Sequence, residues 1–276
     1  MSTFKRYFSN PAAVIGLVLL VLVVVVAVCA DWVYPGNPLR LAGRPLQWPM
    51  ENAAFPLGTD QSGRDIAAQL AHGARMALVI GLVAMLLALT VGVLIGAIGG
   101  YFGGWLDDVL MRVTDAFQIL PSFLLLLVLV AVFGSDIVTI TVSIGLVSWP
   151  PTARLTRAEF MTLRHREYVQ ASRTLGQGHV AIIFREILPN ALPPVIIYSS
   201  VIMASAILLE SALAFLNLSD PNVPSWGNLI GTGRNVMRQQ WYVVTLPGVA
   251  ILLTVLGISL VGQGLNDAFN PRLKRR

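Results

Sequence analysis

Long apolar runs alternate with polar connections along the whole chain. Six such runs cover residues 11–31, 76–98, 109–133, 137–149, 192–209 and 243–261. A helix that crosses the hydrocarbon core of a bilayer needs about 20 predominantly apolar residues. Pro121 and Pro247 lie inside two runs, and spans tolerate proline because neighbouring helices satisfy the freed backbone groups. The pattern predicts an all-α polytopic membrane protein with six transmembrane helices.

Composition supports the membrane class and excludes other classes. Hydrophobic residues make up 55% of the chain and charged residues 12%, whereas soluble domains are about 25% charged. Lys5 and Lys274 are the only lysines, so the net charge of +5 comes almost wholly from arginine. The basic residues form no aromatic-interleaved patch, which argues against nucleic acid as a partner. The single Cys29 excludes an intramolecular disulfide and a cysteine-cluster metal site.

The placement of lysine and arginine predicts the orientation. With the N-terminus in the cytoplasm, thirteen basic residues fall on the inner side and six on the outer side, as the positive-inside rule requires. The first run is longer than the apolar core of about 7–15 residues of a signal peptide, so we expect an uncleaved span. The predicted order is a cytoplasmic N-terminus (1–10), a first transmembrane helix (11–31), an outer loop (32–75), a five-helix core (76–264) with a cytoplasmic loop (154–190) and an outer loop (213–242), and a cytoplasmic basic tail (265–276).

The cytoplasmic loop at residues 154–190 is the largest polar interruption of the core. It carries six arginines, and residues 162–176 have helix-forming composition with a polar, basic surface. Gly176 allows the positive φ or the close backbone approach that a bend requires. An apolar pattern resumes at 180–187 and stops at Pro189. The loop is predicted to be a bent helical element that lies beside the membrane, as an amphipathic interfacial helix or as a docking surface.

Recognisable catalytic and nucleotide-binding motifs are absent from the sequence. There is no G-x-x-x-x-G-K-[ST], H-E-x-x-H or G-x-S-x-G pattern. The histidines His72, His165 and His179 are scattered, and we interpret them as solvated surface residues rather than metal ligands. The glycine-rich stretch 99–104 is predicted to be a tight cytoplasmic turn between the second and third spans. The chain is therefore expected to be no enzyme and to bind no metal or cofactor itself.

The spacing of residues in the cytoplasmic loop carries a family resemblance. Gln170-Ala171-Ser172, Gly176 four positions after Ser172, and Leu188-Pro189 beginning twelve positions after Gly176 resemble the EAA loop of ABC importer permeases. Gln170, Ser172 and Glu186 depart from the usual residues of that loop. The resemblance implies a coupling helix that docks on a cytoplasmic ATPase. The residues it assigns to this contact are Glu167, Gln170, Ala171, Ser172, Arg173, Leu175, Gly176, Leu188 and Pro189.

Other segments are similar to one branch of these permeases. Residues 56–65 read PLGTDQSGRD and are followed by Gly73-Ala74-Arg75; residues 99–121, 210–216, 225–227, 247–248 and 267–272 match in order. They resemble the second (C-type) permease subunit of dipeptide, oligopeptide and nickel importers. The resemblance implies the type I ABC importer fold and a bacterial inner-membrane location.

The same resemblance implies a set of partners. These are a homologous permease, two P-loop ATPase subunits or one fused ATPase that hold the ATP and magnesium, an extracytoplasmic binding protein, and membrane lipid. Peptides are the favoured substrates, with nickel, metal-opine chelates or glutathione as alternatives. A secondary transporter without an ATPase is the alternative from another class. It would predict paired broken helices and a buried ionisable couple, whereas the spans show only Glu210 and the region of Asp115.

Residue-level hypotheses outside the cytoplasmic loop are fewer. Glu210 sits in an apolar run, where an acid is expensive in lipid and should face a partner or the pathway. A structural bond to the outer loops is the favoured role, and contact with the substrate, in the pathway or at an outer gate, is the alternative. Thr141 and Ser143 are candidates for the pathway wall, with helix packing by small residues as an equal explanation. Asp60, Arg64 and Asp65 are expected to order the outer loop.

Overall fold

The structure, a computed structural model, describes residues 7–269 and is helical throughout the membrane core. Lys5, Arg6 and the end of the predicted basic tail lie outside the described residues. The α-helices are α1 (Pro11–Val33), α2 (Ile66–Phe102), α3 (Gly104–Ile119), α4 (Ser122–Phe133), α5 (Ile137–Ser148), α6 (Pro150–Leu163), α7 (Glu167–Thr174), α8 (His179–Phe215, with a π-helical stretch at Ile182–Ile187), α9 (Trp226–Gly233) and α10 (Tyr242–Phe269). No strand occurs in this part of the chain; Thr59 and Asp65 form one isolated bridge.

The membrane-spanning character is confirmed, but the count of six spans is not. Within residues 7–269, four helices are long and apolar enough to cross a bilayer: α1, α2, α8 and α10. The run predicted at 109–133 is a broken pair, α3 and α4, bent by 84°, and counts as a fifth crossing if the pair is one span. The bend occurs at Pro121, whose ring fixes φ and disfavours a helical conformation at the preceding Leu120.

The run predicted at 137–149 is also interrupted. Helix α5 ends at Ser148 and α6 begins at Pro150. The neighbouring Pro151 also lacks an N–H, so two helical hydrogen bonds are missing at this junction. The chain nevertheless continues in helical conformation, because Trp149 keeps right-handed helical angles. The helical conformation therefore resumes through Thr152.

Helix α2 is the central element, and it packs most extensively on α6. Gly92, Gly96 and Gly100 repeat every four residues along this contact. A Cβ at Gly92 would lie 2.5 Å from the Thr152 Cβ, and one at Gly100 would lie 2.7 Å from the Arg157 carbonyl. Small residues at this spacing let two helix backbones approach closely, which is how packing holds helices together in lipid.

The bundle has two distinct ends. The loop-rich end contains residues 34–65 and 216–241, and the arginine-rich end contains residues 99–107 and 154–185. At the loop-rich end, the Tyr242 hydroxyl donates to the Gln47 carbonyl at 2.7 Å, and Trp226 Nε1 donates to the Leu70 carbonyl at 3.0 Å. These hydrogen bonds tie the loops to α2 and α10, so the loops are ordered, as their turn-forming residues predict.

The glycine-rich stretch 99–104 is only partly a turn. Helix α2 continues through Gly99 and Gly100 to Phe102, and only Gly103 (φ +70°) and Gly104 (φ +60°) have the positive φ values of a turn. The prediction of a turn across all six residues is therefore wrong. The helix persists because Tyr101 is buried against Phe160 and Ile187 of the neighbouring helices, so tertiary packing overrides the low helix propensity of glycine.

Candidate functional site

The segment predicted as one coupling helix is interrupted by a turn. Helix α6 ends at Leu163, Arg166 is extended (φ −70°, ψ 147°), and α7 begins at Glu167. The prediction of a single helix over 162–176 is therefore wrong at its start. The chain turns because α7 buries Val169 in a cluster with Phe160 and Tyr101, a contact that a straight continuation of α6 would not make.

Gly176 ends α7 in a Schellman motif. Its φ is +76°, its N–H donates to the Arg173 carbonyl at 3.0 Å, and the Gln177 N–H donates to the Ser172 carbonyl at 3.1 Å. These two bonds satisfy carbonyls that the helix end would leave unpaired. No atom lies within 4 Å of a Cβ built at this glycine. Glycine is therefore required for its backbone conformation, as predicted, and not for a close contact.

One face of the loop is buried and the other is open. Val169 and Ser172 are buried, whereas Glu167, Gln170, Ala171 and Arg173 are exposed. Apolar side chains also face outwards: Leu175 is 80% exposed and Val180 is 70% exposed. Exposed large apolar residues among arginines at the tip of a membrane protein are typical of an interaction surface. Of the α7 residues assigned to coupling, Ser172 is the one that lies on the inner face.

Residues on both sides of α7 bind to the C-terminal end of α2. Arg164 Nη1 donates to the carbonyls of Gly100 (3.0 Å) and Tyr101 (3.3 Å). The Tyr101 hydroxyl lies 2.8 Å from Nδ1 of His179, and the Arg173 guanidinium stands 5.3 Å above the Tyr101 ring. A cation at a helix C-terminus is favoured by the partial negative charge of the last carbonyls. Sequence reasoning missed these anchoring residues, although a tyrosine ending a long span was a signal.

Helix α8 passes through Leu188 and Pro189 without stopping. Residues Ile182–Ile187 form a π-helical turn, and the Leu188 N–H donates to the Ile183 carbonyl, five residues back. The prediction that Pro189 ends the helix is wrong. The wider π turn precedes the proline and lets the helix accommodate its missing N–H. Leu188 is half-buried and Pro189 is exposed.

Two ion pairs join α3 to α6 near the loop. Arg157 Nε and Nη2 donate to the two carboxylate oxygens of Asp107 at 2.5 and 2.6 Å. Arg154 Nη2 lies 2.5 Å from Asp115 Oδ1. The Asp107 side chain is 8% exposed, whereas that of Asp115 is 61% exposed. The first pair is therefore the stronger link, since screening by water leaves little of an exposed pair.

The outer-loop residues Asp60, Arg64 and Asp65 lie together at the start of α2. Asp60 Oδ1 accepts from the N–H groups of Ser62 (2.8 Å) and Arg64 (2.9 Å), and its Oδ2 accepts from Gln69 Nε2 at 3.1 Å. Asp65 caps α2 by accepting from the Ala67 N–H. Burial raises the pKa of the Asp65 carboxyl. These contacts agree with a role in ordering the loop, which stays a prediction.

Glu210, Thr141 and Ser143 are all buried inside the chain. Glu210 Oε1 accepts from the Ser225 hydroxyl at 2.8 Å, which connects α8 to the loop-rich end. Thr141 Oγ1 donates to the Ile137 carbonyl of its own helix. The Glu210 contact agrees with the structural role favoured from the sequence. The burial of Thr141 and Ser143 agrees with helix packing, and the roles of all three residues stay predictions.

The interpretation of the histidines as solvated surface residues is wrong for His72. His72 is 8% exposed, and its Nε2 lies 3.0 Å from the Tyr34 carbonyl, which can only accept. A buried ring nitrogen is satisfied by this contact, so the residue packs α2 against the end of α1. Within residues 7–269, no group of three or more potential metal ligands comes together.

Comparison with known proteins identifies the family. The family described as binding-protein-dependent transport system inner membrane component matches residues 92–275, and the N-terminal TM domain of oligopeptide transport permease C matches residues 2–49. The dipeptide transport system permease protein DppC of Escherichia coli K12 is 44% identical over 282 residues, which cover 100% of this chain and 94% of that protein. The di/tripeptide transport system permease protein DppC of Pseudomonas aeruginosa is 39% identical over 277 residues, with 98% and 91% covered.

A solved structure supports the fold. The inward-facing MetNI methionine ABC transporter matches with a TM-score of 0.61 at 16% identity, over 73% of this chain and 97% of that chain. This similarity shows the type I importer fold alone, since the identity is low. The alignments with the sequence relatives cover 98–100% of this chain. The family match at residues 92–275 includes the arginine-rich loop and the residues that anchor it. The chain therefore belongs to the family of binding-protein-dependent transport system inner membrane components, the permease subunits of ABC importers.

Proposed function

We propose that this chain is the C-type permease subunit of an ATP-driven importer of di- or oligopeptides. The curated relatives that match along almost its full length are named as dipeptide and di/tripeptide permeases. Nickel, metal-opine chelates and glutathione are less favoured, because no relative reported above is named for them. The chain contributes no catalysis; separate ATPase subunits bind ATP and magnesium.

The observation that carries the proposal is the geometry of the loop between α6 and α8. Its outward face presents Glu167, Gln170 and Leu175, while its inward face is bonded to the end of α2 through Arg164 and Tyr101. A loop that is exposed on its outer face and bonded to α2 on its inner face can transmit a movement of the ATPases to the membrane helices. Closure of two ATPases around ATP would move this loop and re-orient the spans as rigid bodies, a form of alternating access.

We further propose that the arginine-rich end faces the cytoplasm of a bacterial cell and that both termini lie on that side. Six arginines of the loop and the α3–α6 ion pairs cluster at this end, which agrees with the positive-inside rule. The loop-rich end would then face the extracytoplasmic binding protein. A homologous permease completes the pathway, since Ile196, Val201 and Leu208 on α8 are each more than 40% exposed in the single chain.

Affinity purification of the chain from detergent tests the proposal. We expect a second permease and one or two P-loop ATPases in the eluate, and uptake of radiolabelled dipeptide by proteoliposomes only with ATP and the binding protein. Replacing Leu175 with Asp should remove the ATPases while the permease pair stays together. A chain that transports alone, driven by an ion gradient, would contradict the proposal and favour the secondary-transporter alternative.

A further inference from the structure

A groove lies between α1 and α10 in the half of the bundle nearer the loop-rich end, and its volume is about 470 Å³. We call it the α1–α10 groove. Towards the arginine-rich end the two helices touch, since a Cβ at Gly16 would lie 2.5 Å from the Leu260 Cβ. The groove extends along α1 from Leu19 to Val33, which is about 21 Å of helix. This length suits one acyl chain, because one leaflet is half of a hydrocarbon core of about 30 Å.

The walls of the α1–α10 groove are apolar. Its floor is formed by small, buried residues of α2: Ala67, Ala71 and Ala74. On the two walls, Val26 is 40% exposed and Val249 is 44% exposed. The Thr254 hydroxyl donates to the Ala250 carbonyl of its own helix at 2.7 Å, so it offers no free donor to an occupant. Hydrocarbon therefore fits this space, and water does not.

A second cavity adjoins the groove at the loop-rich end. It has a volume of about 600 Å³ and lies between residues 33–42, residues 54–55 and the start of α2. Val33 and Tyr34 line both spaces, so this cavity is the mouth of the groove. We call it the mouth cavity. In contrast to the groove, it contains charged side chains, those of Arg40 and Asp65.

Neither charge of the mouth cavity has an ion-pair partner among residues 7–269, where the ion pairs join other residues. Arg40 is exposed, and a guanidinium binds phosphate oxygens through paired hydrogen bonds. Asp65 accepts from the Ala67 N–H at 2.9 Å and can accept further hydrogen bonds, because a carboxylate has about four lone-pair sites. The cavity therefore offers one site for a phosphate and one for an ammonium group.

Two tryptophans mark the depth at which the groove meets the mouth cavity. Trp32, near the end of α1, is 79% exposed, and Trp241, immediately before α10, is 53% exposed. Exposed tryptophan is enriched at the membrane–water interface, where its ring lies at the level of the headgroups. The groove therefore lies in the hydrocarbon, and the mouth cavity lies among the headgroups. This division into apolar and charged walls matches the two parts of a phospholipid.

We propose that the α1–α10 groove and the mouth cavity together bind one phosphatidylethanolamine molecule. One acyl chain fills the groove, Arg40 binds the phosphate, and Asp65 accepts a hydrogen bond from the ammonium group. A choline headgroup has the same charge but no N–H to donate, and a glycerol headgroup gives Asp65 no cation. The lipid fills the space between α1 and α10 and thereby supports the first helix. This inference goes beyond the proposed function, because lipid binding requires neither ATP nor peptide.

A phosphatidylethanolamine with a photoactivatable diazirine in its acyl chain tests the groove. The assembled transporter is irradiated in nanodiscs that contain this lipid, and cross-linked peptides are mapped by mass spectrometry. Val26→Trp narrows the groove. Val24→Trp is the matched control, since Val24 lies on the same helix, is 41% exposed against 40% for Val26, and does not line the groove.

Cross-links to residues 19–33 and 246–254 should form in the wild type and in Val24→Trp, and their yield should fall at least threefold in Val26→Trp. Equal yields in the two variants would overturn the groove site. A second pair on α10 guards against a variant that fails to assemble: Val249→Trp lies in the groove, and Leu256→Trp, at a residue 41% exposed, lies outside it. Absence of lipid from the groove peptides of the wild-type complex would also overturn the proposal, with a protein partner as the occupant.

Headgroup selectivity tests the mouth cavity. The complex in detergent is mixed with equal amounts of phosphatidylethanolamine, phosphatidylcholine and phosphatidylglycerol with the same acyl chains, and retained lipid is measured by native mass spectrometry. The ethanolamine lipid should be retained at least threefold more than either competitor. Equal retention of the three lipids, or a preference for the glycerol lipid, would overturn the assigned headgroup contacts.

Variants of the two charged residues separate the two contacts. Asp65→Asn keeps a residue that caps α2 but removes the charge, so the preference for ethanolamine over choline should disappear. Arg40→Gln should reduce the retention of all three lipids at least threefold. Arg44→Gln is the control, since Arg44 is exposed in the same loop but does not line the cavity; an equal loss in both arginine variants would overturn the phosphate contact. A complex that selects the ethanolamine lipid but imports no peptide would refute the proposed function alone.

Discussion

The Tyr101 hydroxyl lies 2.8 Å from Nδ1 of His179 and thereby joins the last turn of α2 to the residue at which α8 begins. Between the two residues in sequence lie α3 to α7 and most of the arginine-rich loop at residues 154–190. The 37-residue helix α2 begins at the loop-rich end with Asp65 as its N-cap. One rigid element therefore connects the loops at one end of the bundle with the proposed ATPase contact at the other.

Tyr101→Phe should weaken the coupling of transport to ATP hydrolysis. The change removes the bond to His179 but keeps the ring beneath Arg173, and a lost hydrogen bond of this kind costs about 0.5–1.5 kcal/mol. We expect more ATP hydrolysed per peptide imported, measured in proteoliposomes. Tyr34→Phe, at the loop-rich end, should leave that ratio unchanged. An unaltered ratio in Tyr101→Phe would show that the hydroxyl has no role in coupling.

Gly176→Ala should impair the loop, whereas Gly178→Ala should not. Neither glycine has an atom within 4 Å of a built Cβ, but Gly176 has φ +76° and Gly178 has φ −70°. A residue with a Cβ in the left-handed region costs roughly 1–2 kcal/mol. Transport measured at saturating ATP should fall in the first variant alone, with both proteins inserted normally. Similar activity of the two variants would show that the bend is dispensable.

Asp107→Asn should destabilise the permease more than Asp115→Asn. Removing one partner of a buried ion pair costs about 3–5 kcal/mol, and Asp107 is the buried carboxylate. Arg157 is partly exposed, so the loss should fall towards the lower end of this range. The exposed Asp115–Arg154 pair is worth at most about 1 kcal/mol. Thermal unfolding of the purified complex in detergent measures the loss of stability in each variant. A larger loss in Asp115→Asn than in Asp107→Asn would contradict this ranking.

Ser225→Ala should loosen α9 at the loop-rich end. The Ser225 hydroxyl donates to Glu210 at 2.8 Å and accepts from the Gly227 N–H at 3.2 Å. Its loss leaves a buried carboxylate with one partner fewer, at a cost of about 1–3 kcal/mol. Hydrogen exchange over 226–233 should accelerate. Ser219→Ala is the control, since the buried Ser219 hydroxyl has no partner among the described residues; unchanged exchange in Ser225→Ala would refute the role of this contact.

Two helix-capping aspartates should show opposite pH dependence. Burial raises the pKa of Asp65, so its contribution to stability is present at low pH and is lost as the pH rises through its folded pKa. Hydrogen bonds from Thr139 lower the pKa of Asp136, so its contribution is present at neutral pH and is lost as the pH falls. The pH range in which stability changes lies above the ordinary carboxyl pKa of 3.8 for Asp65 and below it for Asp136.

Asparagine variants test this pair, because asparagine also caps helices. At pH 7, Asp65→Asn should be at least as stable as the wild type, and Asp136→Asn should be less stable. Both differences should shrink as the pH is lowered, measured as the midpoint of thermal unfolding between pH 3 and pH 7. Slopes of the same sign for the two variants would contradict the assigned environments.

The anchors of the arginine-rich loop illustrate what sequence patterns miss. The spacing of Gly176 predicted the bend, because a positive φ is a local requirement of one residue. The turn at Arg166 was not predictable, since it depends on Val169 meeting Phe160 and Tyr101, which lie far away in sequence. Likewise, the prediction that Pro189 ends the helix was wrong. The preceding π-helical turn accommodates the missing N–H of the proline, and no local sequence pattern predicts that turn.

By itself, the sequence determined the class of the protein, the approximate position of its apolar segments and its family resemblance, because hydropathy, glycine placement and motif spacing are properties of single residues and short windows. Only the tertiary structure decided that two of the apolar runs are broken, that His72, Thr141 and Ser143 are buried, and that Arg164 and Tyr101 bind the arginine-rich loop to the end of α2. These features depend on contacts between distant segments, where the close approach of helices selects which polar groups find partners and which remain open to water.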